Sequence, residues 1–217
     1  MAVAQSLEEL PYAAYLRRHE AGEPLEHDGN YTEVHFEGLE LDGGEATSAK
    51  FIESALTGVT LSEVGLERAR FSEAWLSRNR WVGVRLADSE WLDVSMLDSS
   101  LAGVQAYSSR LRRVTFRRCK IDTLNLRGAT LADVVFEDCE LNELDCAGAS
   151  LTGVTFPGSA IRNARFSQVK CKKVDFRGAR ELDVADGADS LRGATVDERQ
   201  LMELAPALAQ ALGILVR

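Results

Sequence analysis

Hydrophobic residues recur every five positions over most of this chain. Counting in fives from Phe51 meets Leu56, Leu61, Leu66, Phe71, Leu76 and Trp81, and the series continues unbroken to Phe176. All 26 positions of the series are apolar. With about 45% of the chain hydrophobic, chance would give such a run with a probability on the order of 10⁻⁹, so the period decides the fold class. A second row lies two residues ahead of the first. It reads Ala49, Ser54, Val59, Val64, Ala69, Ala74, Asn79, Val84 and continues to Val169 and Val174, small or β-branched almost throughout. Neither the helical period nor strand alternation gives a repeat of five. A coil with four short sides does, if each side turns one large and one small residue inward. The pattern therefore predicts an all-β solenoid.

Stretches such as Leu126 to Asp145, LRGAT-LADVV-FEDCE-LNELD, place a large apolar residue at the centre of each pentad and a small one two before it. In this the chain resembles the pentapeptide-repeat family. The resemblance implies a right-handed quadrilateral β-helix of about 20 residues per coil. It covers residues 34–196, weakly at 44–48 and 181–190, and departs from the family's commonest form just before the centre, which is often not Asp or Asn here. The register does not slip between 51 and 176, so the chain is similar to loop-free members rather than to the quinolone-resistance members whose loops interrupt the coils. With coils about 4.8 Å apart, 26 pentads make about 6.5 coils and a rod of roughly 31 Å.

A solenoid exposes core and strand edges at both ends and needs caps. The expected organisation is an N-terminal helical cap over 1–33, the repeat over 34–196, and a C-terminal helical cap and dimerisation module over 197–217. Pro11 to Ala21 predicts a short helix, with Gly22 just past its end. Thr195-Val-Asp-Glu198 predicts a capping box, and Pro206 the start of a second short helix ending near Gly213. The tail is rich in large apolar residues: Leu201, Met202, Leu204, Leu208, Leu212, Ile214 and Val216. They exceed what one coil face needs. In several family members a C-terminal helical module joins two rods, so the resemblance implies a homodimer through these residues.

Composition adds less. No apolar run is long enough to cross a membrane, the N-terminus lacks a signal-peptide pattern, and cytoplasm is the expected location. Cys119, Cys139, Cys146 and Cys171 form no C-x-x-C pair, and His19, His27 and His35 all precede them. No metal site and no cofactor is expected. Cys119 and Cys139, 20 residues apart, should stack as reduced buried thiols. Trp81 and Trp91 fall in one coil as a bulky core layer, beside Asn79 and Ser89 of the small row. With no histidine beyond His35 and no glycine-rich phosphate loop, no catalytic constellation is present and no enzyme is expected.

Charge bears on the partner. The net charge is −9, and the resemblance brings with it the DNA mimicry suggested for members that act on gyrase. Residues 1–49 carry 11 acidic and 2 basic groups, while residues 50–176 carry 16 and 18. A 31 Å rod imitating duplex DNA needs roughly 18 negative charges, so mimicry along the body is disfavoured. Rows 20 residues apart show finer structure. Arg78, Asp98, Arg118 and Asp138 alternate in sign and predict a salt-bridge ladder. Glu53, Glu73 and Asp93 stack three carboxylates, repelling by about 0.5–1 kcal/mol per neighbouring pair. Trp75, Leu97, Leu92 and Ile52 are expected to point outward close by, giving an acidic and apolar face as the candidate protein-binding surface. Arg110, Arg112, Arg113, Arg117, Arg118 and Lys120, with Lys170, Lys172 and Lys173, form basic patches. They carry no interleaved aromatics, so direct nucleic-acid binding is not expected. Two functions follow: a non-catalytic protein-interaction module, or, from the resemblance, a modulator of a type II topoisomerase such as gyrase that confers quinolone or toxin protection.

Overall fold

A computed structural model of the chain describes residues 4–20 and 22–215. The repeat folds as a parallel β-solenoid of about nine turns closed by a single C-terminal helix. Short strands stack with a register of 20 residues. On one side Phe51 pairs with Phe71, Phe71 with Trp91, Trp91 with Leu111 and Leu111 with Leu131. On the next, Leu56, Leu76, Met96, Phe116 and Phe136 align. A third carries Leu41, Leu61, Trp81, Leu101, Ile121, Leu141 and Ile161. The fourth side begins as isolated bridges, Gly65 to Arg85 and Arg85 to Gln105, and continues as strand pairing from Gln105 through Asn125 and Asp145 to Arg165. The register lengthens by one residue where Ala160 pairs with Glu181.

The five-residue period becomes a core because identical side chains fall on top of one another. Phe116, Phe136, Phe156 and Phe176 stack with centroids 5.0, 5.3 and 5.0 Å apart and ring planes within 6°. That separation is close to the strand spacing, so the rings follow the backbone. Trp81 and Trp91 meet edge-on at 6.2 Å. The Trp91 indole N–H donates to Ser89 Oγ at 2.9 Å, whereas that of Trp81 is buried without an acceptor.

Each side ends in a corner residue with positive φ, two positions after the large apolar one. Most of these residues are not glycine: Glu53, Arg78, Asp98, Arg118 and Thr123 all have φ between 46° and 67°. The small row supplies the compensation. At several corners the side chain of the next coil bridges the turn. Asn79 accepts from the Val59 N–H at 2.8 Å and donates to the Leu56 carbonyl at 3.1 Å. Ser159 accepts from the Cys139 N–H and donates to the Phe136 carbonyl. Cys139 Sγ stands in the same relation to the Cys119 N–H and the Phe116 carbonyl. All four cysteines are unpaired thiols, and three are buried.

Both predicted end structures need correction. The N-terminal helix over 11–21 does not form, and Ala21 lies outside the described residues. The segment makes single 3₁₀ turns at Leu7–Glu9 and Ala13–Tyr15, then a strand Arg17–Arg18 that pairs with Val34 and His35. Its apolar residues must reach side chains spread over successive coils. An extended chain covers more than twice the distance per residue that a helix does.

At the other end the described residues form one α-helix, α1 (Glu198–Ala211), with Pro206 inside it. Its N-cap is Asp197, whose carboxylate accepts from the Gln200 N–H at 2.8 Å while Gln200 Oε1 accepts from the Asp197 N–H at 3.1 Å. Thr195 lies instead in the last strand. The helix does not restart at Pro206, because Leu204, Ala207 and Leu208 pack on the rod end from both sides of it. Their burial offsets a proline cost of about 3 kcal/mol.

Candidate interaction surfaces

The acidic corner lies where the sequence places it. Glu53, Glu73 and Asp93 occupy successive corners of one edge, each with positive φ. Asp93 is tied to Arg113 of the next coil by two hydrogen bonds of 2.6 Å, and the guanidinium holds its carboxyl below the usual carboxylate range. Among the described residues no cation lies within ion-pair distance of Glu53 or Glu73. Ile52 and Leu92, one position before the corner, are half-buried.

Trp75 and Leu97 do not point into solvent. They are 5% and 1% exposed, and this corrects the sequence expectation. They sit on the outer face of the rod under the chain's own N-terminal segment, in a cluster with Ala55, Leu10 and Tyr12, flanked by Ala4, Leu7, Ala13 and Leu16. The Trp75 indole N–H donates to the Ala4 carbonyl at 3.1 Å. The Tyr12 hydroxyl donates to the Glu73 carbonyl at 2.6 Å. Burial, and after it the Glu73 and Glu53 carboxylates, push the Tyr12 phenol well above its ordinary range. Pentad spacing marks Trp75 and Leu97 as outward but carries no information about what arrives from 60 or more residues away. The apolar spacing of Leu7, Leu10, Tyr12 and Leu16 was the available signal for such a strap.

The basic band is largely neutralised by its neighbours. Arg110 pairs with Glu90, Arg113 with Asp93, Arg117 with Glu137, Arg118 with Asp98 and Lys120 with Asp122. The Asp98–Arg118 rung of the predicted ladder is bidentate, at 2.7 and 2.8 Å, and lowers the Asp98 carboxyl. Pairing of this kind consumes the charges that a nucleic-acid backbone would need.

At the C-terminal end the tail divides into two roles. Leu204 is 4% exposed and, with Leu208, closes the core. Gln200 is fully buried and donates through Nε2 to the carbonyls of Phe176 and Ala179, capping the last corner. Facing away are Leu201, Met202 (74% exposed), Leu212 (72%), Ile214 and Leu215. Met202, Ala205, Pro206, Ala209, Gly213, Ile214 and Leu215 line a shallow apolar hollow. Val216 lies outside the described residues. Among the described residues no helix is long and apolar enough to cross a membrane, and no cluster of His, Cys, Asp or Glu is arranged to hold a metal ion.

Residues 99–166 match the family model described as a pentapeptide repeat region. No curated protein sequence matches the chain. Among solved structures, a trypsin-treated variant of QnrB1, described as a plasmid-mediated fluoroquinolone resistance protein, is 17% identical. The alignment covers 87% of this chain and 100% of that one with a TM-score of 0.34. HetL, a pentapeptide repeat protein involved in heterocyst differentiation regulation from the cyanobacterium Nostoc sp. strain PCC 7120, is 16% identical over 79% of this chain and 91% of its own, with a TM-score of 0.26. The pentapeptide repeat protein Rfr23 from the cyanobacterium Cyanothece 51142 is 12% identical over 75% and 91%, with a TM-score of 0.21.

Proposed function

We propose that this β-solenoid, whose residues 99–166 match the pentapeptide repeat region, is a non-catalytic interaction protein whose acidic and apolar edge engages a protein partner in the cytoplasm. The edge comprises Glu53, Glu73, Asp93, Ile52 and Leu92, with Trp75 and Leu97 beneath the N-terminal segment. One observation carries this reading. Arg110, Arg113, Arg117 and Arg118 are matched by carboxylates of adjacent coils, whereas among the described residues Glu53 and Glu73 stack without a cation beside the Tyr12 and Trp75 cluster. Fold stability gives no reason to keep two such carboxylates together. A filled interior supports the absence of catalysis, since the coils turn their large residues inward.

Two rods pair through α1 in this proposal. The exposed Leu201, Met202, Leu212 and Ile214 supply the contact, Leu204 and Leu208 support it from the core side, and Val216 continues the apolar tail. Light scattering tests it: the full chain runs as a dimer, and Met202→Glu with Leu212→Glu converts it to a monomer that keeps its far-ultraviolet circular dichroism and loses the concentration dependence of its unfolding midpoint. A monomeric full chain would refute the pairing.

A second reading, modulation of a type II topoisomerase, is favoured by the concentration of net −9 in residues 1–49. A gyrase supercoiling assay separates the two. Inhibition or quinolone protection that weakens in Glu53→Ser, Glu73→Ser, Asp93→Ser supports the topoisomerase reading, and no effect of the protein at micromolar concentration rejects it.

A further inference from the structure

Residues 4–16 cross the outer face of the rod over Ala55, Trp75 and Leu97, yet among the described residues no backbone-to-backbone hydrogen bond joins them to the coils. Their backbone bonds are internal: Leu10 N–H to the Leu7 carbonyl, Ala13 to Leu10, Tyr15 to Tyr12 and Leu16 to Ala13, at 2.9–3.4 Å. The first ladder bond from this end is Arg17 N–H to the Glu33 carbonyl. The face beneath is complete without the strap, since Ala55, Trp75 and Ser95 pair in register through their own backbones. Residues 4–16 can therefore lift without breaking a strand pairing. A segment held by a few apolar contacts and by the side-chain hydrogen bonds of Tyr12, to the Glu73 and Ser54 carbonyls, and of Trp75, to the Ala4 carbonyl, belongs to the low-stability end of a structure.

Charge indicates what would replace it. The strap carries Glu8 and Glu9 and no basic residue, and it docks against the edge where Glu53 and Glu73 lack cations. Tyr12 is seated on the Glu73 backbone with both carboxylates near enough to raise its phenol. The strap therefore fills the apolar site and leaves the acidic edge unmatched.

We propose that residues 4–16 are a displaceable strap over a docking face centred on Trp75, and that the segment displacing it is a basic stretch of a partner protein bearing leucine or aromatic anchors. This rests on the partner-binding reading of the same edge and adds its gate and the chemistry of its occupant. The apparent affinity of such a partner is reduced by the fraction of molecules with the strap lifted.

Hydrogen exchange on the full chain comes first. The amides of Leu10, Ala13 and Tyr15 are expected to exchange at least 100-fold faster than those of Trp75 and Ser95. Equal rates would make the strap a permanent staple and overturn the proposal while leaving the acidic edge as a surface. The second arm measures fluorescence anisotropy of two labelled peptides of residues 4–16, one native and one with Glu8→Lys and Glu9→Lys. The lysine peptide is expected to bind full-length Leu10→Ala or the milder Tyr12→Phe about tenfold more tightly than wild type. It should also outbind the native peptide at low salt, with the advantage shrinking at 0.5 M salt. Trp75→Ala added to Tyr12→Phe should abolish binding. Fast strap exchange with no peptide binding would overturn the docking face, while the acidic-edge reading stands or falls separately on partner binding that weakens in Glu53→Ser with Glu73→Ser. A strap-exchanged dimer of Leu10→Ala in light scattering would identify a second copy as the occupant and overturn the basic partner.

Discussion

Asn79 offers the sharpest test of how a solenoid tolerates so many left-handed corners. Its carboxamide stands in for the turn hydrogen bond of the preceding coil, accepting from Val59 and donating to Leu56. Asn79→Ala strands two buried backbone groups at about 1–3 kcal/mol each. It also leaves a void of roughly 30 Å³, worth about 0.7 kcal/mol. Part of this is recovered if the Val59 N–H turns to the Leu56 carbonyl, the bond made at the corners ending in Ala49, Ala69 and Ala129. That bond returns about 1 kcal/mol. The net expectation is a loss of about 2–6 kcal/mol, or a fall in Tm of roughly 4–24 °C for a chain of this size. Equilibrium unfolding in guanidinium with matched calorimetry measures it, and exchange at the Val59 amide reports whether the damage begins at that corner. Cys139→Ser is the control. Serine already fills this role at Ser159, so the change should stay within about 1 kcal/mol. A loss below about 0.5 kcal/mol in Asn79→Ala would refute the reasoning, because orphaned buried groups cannot be that cheap.

Three further outcomes follow from the same geometry. Thr123 is a β-branched residue at φ 67°, and Thr123→Gly should stabilise the chain by about 1 kcal/mol, raising Tm, since its bond to Glu143 is exposed. Gln200→Ala removes the fully buried amide that caps the last corner and should cost about 2–3 kcal/mol in guanidinium unfolding. Asp93 and Asp98 have carboxyls held low by Arg113 and Arg118. The stability they contribute is present above the ordinary carboxylate pKa and is lost as pH falls through their depressed folded values. Asp93→Asn with Asp98→Asn should therefore show a smaller drop in unfolding midpoint between pH 7 and pH 3 than the wild type.

The chain's own pattern determined the solenoid, its 20-residue register and the inward direction of its large residues, because stacking identical coils makes every contact a repeat of a local one. The acidic corner of Glu53, Glu73 and Asp93 was equally legible, since residues 20 apart must be neighbours. What the sequence left undecided lies where periodicity ends. Asn79 and Ser159 read only as members of a small row; their work at the corners needs the distance between a side chain and the turn above it. The strap over Trp75 and Leu97, and α1 passing through Pro206 without a break, depend on contacts between the aperiodic ends and the rod. Such contacts carry no spacing signal, because the partners are chosen by which apolar surface remains uncovered once the coils have closed.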